Sequence, residues 1–348
     1  MKLLLAAANK GNANAQNALG DLYANSPPLE KDIEQVIKWY GLAADQGHVN
    51  AQYSLALLLA HEPEVRDESA AYARFCQAAE QGHPQARYNI AQMLQHGQGT
   101  AQNLESAANL FRDIAEQGHN EAQYALGRMY EFAKGVAGDL EEAIYWHRLS
   151  ANQGHVLAQR SMGLMLYHGQ GTDQDPAQAA DYFHLAAEQG DVDSLYQLGL
   201  MAYEGIGVAH DYKQSASYYR LAAEQGHAGA QYNLGQMNRL GQGGPPLNNE
   251  AKKWYKLAAE QGVIQAQFNL GMLFFMGKPE PEEPLSAFMW WMIAASQGDR
   301  LAEKNLELLI KDLSDEQRVK GLEQASAWVE KFGGIAAFKA FSQNAMFG

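Results

Sequence analysis

Eleven histidines and one cysteine are the side chains of this 348-residue sequence best suited to metal binding or nucleophilic attack. Five of the histidines, His48, His83, His119, His155 and His227, each follow a glycine, and neighbours in this series stand 35, 36 or 72 positions apart. Metal ligands must lie about 2 Å from a common centre, so residues strung along a chain in this way do not converge on one ion. There is no His-x-x-x-His pair, no Gly-x-Ser-x-Gly, no Walker loop and no dinucleotide fingerprint. Acidic or amide residues recur at Asp32, Asp67, Asn103, Asp139, Asp175 and Asp211, which raises calcium as one reading and helix capping as a better one. The paired carboxylates Glu141-Glu142 and Glu282-Glu283 fall at caps or loops, and give no basis for acid–base chemistry. Cys76, between Phe75 and Gln77, reads as a small buried residue rather than a reactive thiol. No catalytic residue, cofactor or metal is expected, and the chain is not read as an enzyme.

Formal net charge is −14, with 26 basic residues scattered and without a run. Nucleic-acid binding needs clustered Lys and Arg, so no nucleic-acid partner is expected. One cysteine rules out an internal disulfide framework and fits a reducing compartment. The opening Met1-Lys2-Leu3-Leu4-Leu5 resembles a signal peptide but is short and lacks a cleavage site. No stretch reaches the roughly 18 apolar residues of a membrane span. A cytoplasmic monomer is expected, or a periplasmic or secreted one if a leader has been removed.

The elements that place these side chains repeat. A glycine recurs at Gly11, Gly47, Gly82, Gly118, Gly154, Gly190, Gly226, Gly262 and Gly298, every 36 residues apart from one interval of 35. Such a period marks stacked supersecondary units. Each unit reads as two helices. In 190–226, helix A covers Asp193 to Tyr203, Gly205-Ile206-Gly207 breaks the chain, and helix B runs from Tyr212 to Gln225. Gly226 then closes helix B. Gln35, Glu142, Gln178 and Gln214, three residues past the acidic caps, predict capping boxes. Pro176 and Pro284 suit the first helical position. The A helices hold a small residue at one phase: Gly20, Ala56, Ala91, Gly127, Gly163, Gly199, Gly235 and Gly271. The B helices hold aromatic pairs, Trp39-Tyr40, Tyr145-Trp146, Tyr182-Phe183, Tyr218-Tyr219, Trp254-Tyr255 and Trp290-Trp291, read as inter-repeat core.

Ala-Gln-Tyr-Asn-Leu-Gly at 230–235, the Gly-x-Gly break, and Trp-Tyr-Lys-Leu-Ala-Ala-Glu-Gln-Gly at 254–262 closely resemble the Sel-one-like repeat, a relative of the tetratricopeptide repeat. The resemblance covers about residues 1 to 311. It implies an all-α fold: a right-handed α/α superhelical solenoid of about eight helix-pair repeats, A helices on the concave side, with a C-terminal capping helix. It also implies an adaptor or scaffold role in bacterial signalling, envelope or host-interaction complexes, or in eukaryotic quality control. Ser26-Pro27-Pro28, His61-Glu62-Pro63-Glu64 and the Pro-rich run from Gly277 to Pro284 replace the usual break, so irregular geometry is expected near both ends. A single cysteine sets the chain apart from the disulfide-stapled branch of the family and weakens any β-lactam inference.

The solenoid is expected over residues 1–300, and a degenerate repeat, capping helix and tail over 301–348. The chain opens in a helix of B type, as in a fragment of a longer chain or a helix that is itself the cap. At the other end Ser314-Asp315-Glu316-Gln317 predicts a capping box opening a helix to about Phe332. The tail carries Phe338, Phe341 and Phe347, and either folds back on the last repeat or offers a docking segment. Repeat proteins bind through the varied positions of a repeated surface. By resemblance to tetratricopeptide grooves, a protein or peptide partner is expected at Asn89, Gln92, Arg128, Glu131, Tyr167, Gln197, Tyr203, Asn233, Gln236, Arg239, Asn269 and Met272. Asn233, Gln236, Arg239 and Asn269 form a polar cluster suited to a peptide backbone or carboxylate. A non-catalytic interaction scaffold is the leading reading. A secreted or periplasmic host- or envelope-interaction factor and a regulatory subunit of an enzyme are the alternatives.

Overall fold

A computed structural model describes residues 1–25, 32–277, 283–334, 338, 339 and 341. The described residues are all-α, with no strand. The chain divides into two units, Met1–Gln174 and Asp175–Gly348. The first holds α1 (Lys2–Asn9), α2 (Ala13–Asn25), α3 (Ile33–Ala44), α4 (Val49–His61), α5 (Glu68–Glu80), α6 (Pro84–His96), α7 (Leu104–Ala115), α8 (Asn120–Glu131), α9 (Leu140–Asn152) and α10 (Val156–His168). The second holds α11 (Pro176–Glu188), α12 (Val192–Glu204), α13 (Tyr212–Glu224), α14 (Ala228–Leu240), α15 (Asn248–Glu260), α16 (Ile264–Phe275), α17 (Glu283–Ser296), α18 (Arg300–Leu309) and α19 (Asp315–Phe332). Within each unit successive helices pack on one another, as an α/α solenoid requires, except that the terminal α19 packs back on α17. The Ser26-Pro27-Pro28 break, Lys278 to Glu282 of the Pro-rich run, and Phe347 lie outside the described residues.

Local sequence sets the helix ends. Asp32, Asp67, Asn103, Asp139, Asp175 and Asp211 are N-caps whose side chains accept backbone N–H groups of the first turn. The full capping box forms at Ser314 and Gln317 as expected. Among the other described helices the reciprocal bond is absent. Glu142 instead accepts the Trp146 indole N–H at 3.0 Å, and Gln214 donates to the Tyr218 hydroxyl at 3.1 Å. Pro176 takes the first position of α11, whereas Pro284 takes the second of α17. The five repeated histidines cap the A helices: Nδ1 of His48, His83, His119, His155 and His227 accepts a backbone N–H at 3.0–3.3 Å. Their phase fits this role and no metal site. Gly226 ends α13 with φ at +92°, a left-handed conformation that costs glycine nothing.

The core shows what the small A-helix residue is for. A Cβ built on Gly20, Gly199, Gly235 or Gly271 would lie 2.4–2.7 Å from the ring of Tyr40, Tyr219, Tyr255 or Trp291. Each ring stands twenty positions after its glycine, on the B helix of the same repeat. Gly127 receives His147 in this way, at 2.8 Å. The in-phase pair of that repeat is therefore Trp146-His147. The expected core pair Tyr145-Trp146 is corrected accordingly: Tyr145 is 53% exposed, while His147 is fully buried. Cys76, next to Phe75, is half-buried rather than fully buried, and burial pushes its thiol pKa up, away from reactivity.

A second device joins consecutive helices. Nε2 of Gln16, Gln52, Gln123, Gln231 and Gln267 donates to a carbonyl in the last turn of the preceding B helix, at 3.0–3.3 Å. Their Oε1 atoms accept from Gln46, Gln81, Gln153, Gln261 and Gln297, just past the end of the following B helix, at 2.6–2.8 Å. Arg87 and Leu195 take the glutamine position in two repeats. There Gln117 and Gln225 bond carbonyls of their own helices. At the C-terminal end Phe338 is buried in the last core and Phe341 packs against it, so this part of the tail folds back.

Two stability predictions follow from this packing. Gly199→Ala forces the buried Tyr219 ring to move and is expected to cost about 1–3 kcal/mol in urea denaturation. Gly41→Ala, on α3 with nothing within 4 Å of the new methyl, should instead stabilise by up to about 1 kcal/mol. The histidine caps set a pH window. Nδ1 can accept a backbone N–H only when the ring is neutral. Burial lowers the pKa of His83, His155 and His227, against the opposing pull of Glu121 on His155 and Asp193 on His227. The caps contribute fully above the unfolded value of about 6.5, and stability is lost as pH falls below it, because the unfolded chain protonates first. Asn12 caps α2 through its amide oxygen at the same phase. A variant with His83, His155 and His227 replaced by Asn should therefore lose less thermal stability than wild type between about pH 7.5 and about pH 5.

Candidate functional site

Helical spacing builds a polar cavity of about 430 Å³ in the first unit. Tyr88, Gln92 and Gln95 share one face of α6, and Glu121, Tyr124, Ala125 and Arg128 share one face of α8. His155 and Arg160, at the start of α10, close one side, and Phe132 and Lys134 another. Gln92 Nε2 donates to the Tyr88 hydroxyl at 3.1 Å. Tyr88 stacks on His119 and Tyr124 on His155, with ring centres 5.0 and 4.7 Å apart. Burial raises the Tyr88 pKa, with Glu121 adding to it, so its hydroxyl stays protonated as a donor. The Arg128 guanidinium lies 4.4 Å above the Phe132 ring, with Nε 3.8 Å from Glu131. Arg128, Lys134 and Arg160 outnumber Glu121 in the lining. This local positive balance on an acidic chain suits an anionic or hydrogen-bond-accepting group.

The expected site residues do not all join this cavity. Gln92 and Arg128 line it. Asn89 faces a smaller neighbouring cavity of about 160 Å³ beside Arg66 and Glu68, with its Nδ2 buried and unbonded. Glu131 turns inward, its carboxylate 3.4 Å from Nε2 of the buried His147. Sequence reading missed His147, although its twenty-residue spacing from Gly127 was there to be found. Tyr167, with its ring against His168, and the half-buried Gln197 line neither this cavity nor the ones described below.

In the second unit Tyr203, Asn233, Gln236 and Gln242 line a cavity of about 130 Å³. Gln242 Nε2 donates to the Tyr203 hydroxyl at 3.0 Å, and Gln236 donates to Tyr232. The four-residue polar cluster is split. Asn233 faces the hydroxyl of the buried Tyr219. Arg239 and Asn269 lie beside Tyr255, whose buried hydroxyl makes no hydrogen bond of normal geometry. Met272 accepts a weak bond from Asn305 through Sδ at 3.4 Å. Asn233 and Asn269 thus stand beside core tyrosines. Among the described residues no cluster of three His, Cys, Asp or Glu could hold a metal, and no helix is long and apolar enough to cross a membrane.

A larger cavity, about 600 Å³, lies among α15, α16, α17 and α19. Its aromatic and lysine lining was not anticipated. The contributing residues are far apart in sequence: Leu270 and Trp290 stand at repeat positions, whereas Trp328, Lys331 and Phe332 belong to α19, outside the repeats.

Eight copies of the Sel1 repeat match the chain, over residues 13–48, 49–83, 84–119, 120–155, 156–191, 192–227, 228–263 and 264–299. A search of curated proteins found no match. Among solved structures, a protective antigen of uropathogenic Escherichia coli strains with an SLR fold is 30% identical, with a TM-score of 0.81 over 99% of this chain and 78% of that one. A Sel1 repeat protein from Oxalobacter formigenes is 32% identical, with a TM-score of 0.69 over 89% of this chain and 90% of that one. Sel1 repeat proteins are generally non-catalytic and mediate protein–protein interaction. By its repeats and by these likenesses, the chain belongs to the Sel1 repeat family.

Proposed function

We propose that the chain is a non-catalytic interaction scaffold that binds a peptide segment of a protein partner along its A-helix face, on the side that the family resemblance makes concave. The observation that carries this reading is the cavity of about 430 Å³ in the first unit, where three successive A helices bring Gln92, Arg128 and Arg160 together. Amide and guanidinium groups offer donors to peptide carbonyls and to a side-chain or terminal carboxylate. Stacked Tyr88 and Tyr124 give rigid walls at little entropic cost.

Gln92 and Arg128 are exposed, so a double alanine variant keeps the core intact. Asn233 and Asn269 are poor test positions because they stand against core tyrosines. Wild type and Gln92→Ala/Arg128→Ala, matched for thermal midpoint, are to be compared in affinity capture from the source lysate. A partner held by wild type and weakened tenfold or more in the variant is expected. Equal capture would remove the A-helix face from the reading, and no partner at all would sink the scaffold.

A second reading, a host-facing factor, draws support from the likeness to the protective antigen over 99% of this chain. Immunoblotting of medium, envelope and soluble fractions tests it. Recovery from medium or envelope is the expected outcome, and confinement to the soluble fraction removes the reading.

A further inference from the structure

The cavity among α15, α16, α17 and α19 has a composition unlike the rest of this acidic surface. Its floor is aromatic. Trp290 meets Trp328 edge-on, with ring centres 5.4 Å apart, and Trp328 stacks on Phe332 at 4.9 Å. Phe274, Leu270 and Met289 complete the apolar lining. Its rim is cationic: Lys252, Lys253 and Lys256 come from α15 and Lys331 from α19, with Glu260 the one carboxylate among the described lining residues. Lys252 Nζ sits 4.6 Å over the Phe274 ring, and Lys331 Nζ 4.8 Å over Phe332. Among the described residues no carboxylate lies within ion-pair distance of Lys253, Lys256 or Lys331. Trp328 Nε1 is buried and makes no hydrogen bond. An indole N–H without an acceptor carries a cost that a bound carbonyl or carboxylate would remove.

Lys253, Lys256 and Lys331 around an aromatic pocket, on a chain with net charge −14, select for the opposite charge. The volume of about 600 Å³ exceeds one large side chain and leaves room for the backbone on either side of it. We infer that this pocket is a second docking site, taking an acidic segment of a partner polypeptide with one aromatic or leucine side chain inserted against Trp290, Trp328 and Phe332. Carboxylates flanking that anchor meet Lys253 and Lys256 on one rim and Lys331 on the other. The described tail residues do not supply such a segment, since Phe338 and Phe341 belong to the core cluster beside it and Lys339 repeats the rim's charge. A flat anionic membrane would meet the lysines while leaving the recessed rings unfilled. The site stands whether or not the first-unit cavity binds a partner.

The test is panning of a phage library of random dodecapeptides on the full chain, followed by fluorescence anisotropy of the enriched peptides. Enriched peptides should carry an aromatic or leucine flanked by Asp or Glu, and their affinity should fall as salt rises. The double variant Lys253→Glu/Lys256→Glu, changed only at exposed rim positions, should weaken them tenfold or more. Lys331→Glu should do the same from the opposite rim. Gln92→Ala/Arg128→Ala should leave the affinity unchanged, which separates this site from the first-unit cavity. Enrichment of neutral or basic peptides, no enrichment, or binding to both lysine variants as tight as to wild type would overturn the inference. So would lysine-dependent binding to phosphatidylglycerol vesicles with no peptide enriched, since that outcome assigns the rim to a lipid.

Discussion

A buried side-chain amide holds one repeat to the next. Gln123 reaches back to the Ala115 carbonyl and is itself reached by Gln153, so one residue of α8 ties the ends of α7 and α9 together. In a dry interface both ends of an amide must be matched, and a mismatch costs about 1–3 kcal/mol. That requirement fixes the register of helix against helix more tightly than alanine packing can, because small apolar faces slide. The ring that fills each A-helix glycine then seats in one place, and the varied A-helix positions are aimed in a constant direction. Where Arg87 and Leu195 stand at the amide position, the glutamine downstream bonds within its own helix, and at Arg87 an ion pair to Asp113 of the following B helix, 3.3 Å long, takes the place of the relay.

Much of this frame was legible in the residues. The glycine phase located the B-helix ends, the Asp phase located their starts, and both are local chemistry that acts within one turn. The histidines were legible as residues too far apart to share a metal, and their role as caps is the one that Asn12, Asp191 and Asp299 play at the same phase. Packing across helices was harder to read. Trp146 beside Tyr145 looked like the ring pair of its repeat, yet the glycine at Gly127 is filled by His147. Residue type misled there, and the spacing from the glycine would have decided it.

The candidate site was legible in part. Variation along the A helices led to Gln92 and Arg128, which do line a polar cavity. The same criterion led to Asn233 and Asn269, which face tyrosines of the preceding B helix. A varied polar position can match a core ring as readily as a ligand, and composition does not separate the two. The aromatic pocket near α19 was hidden for another reason. Lys253 and Lys331 are 78 positions apart and belong to a repeat helix and the terminal helix respectively, so no periodic pattern connects them.

The twenty-residue step from glycine to ring has a consequence for how such a chain can change. Each socket and its ring lie inside one 36-residue module, while the amide relay reaches only the adjoining module. A recombination event that inserts or excises a whole module therefore joins two faces that already match. Such a lineage can alter its reach by copy number while its recognition positions diverge one at a time, and the two processes do not interfere.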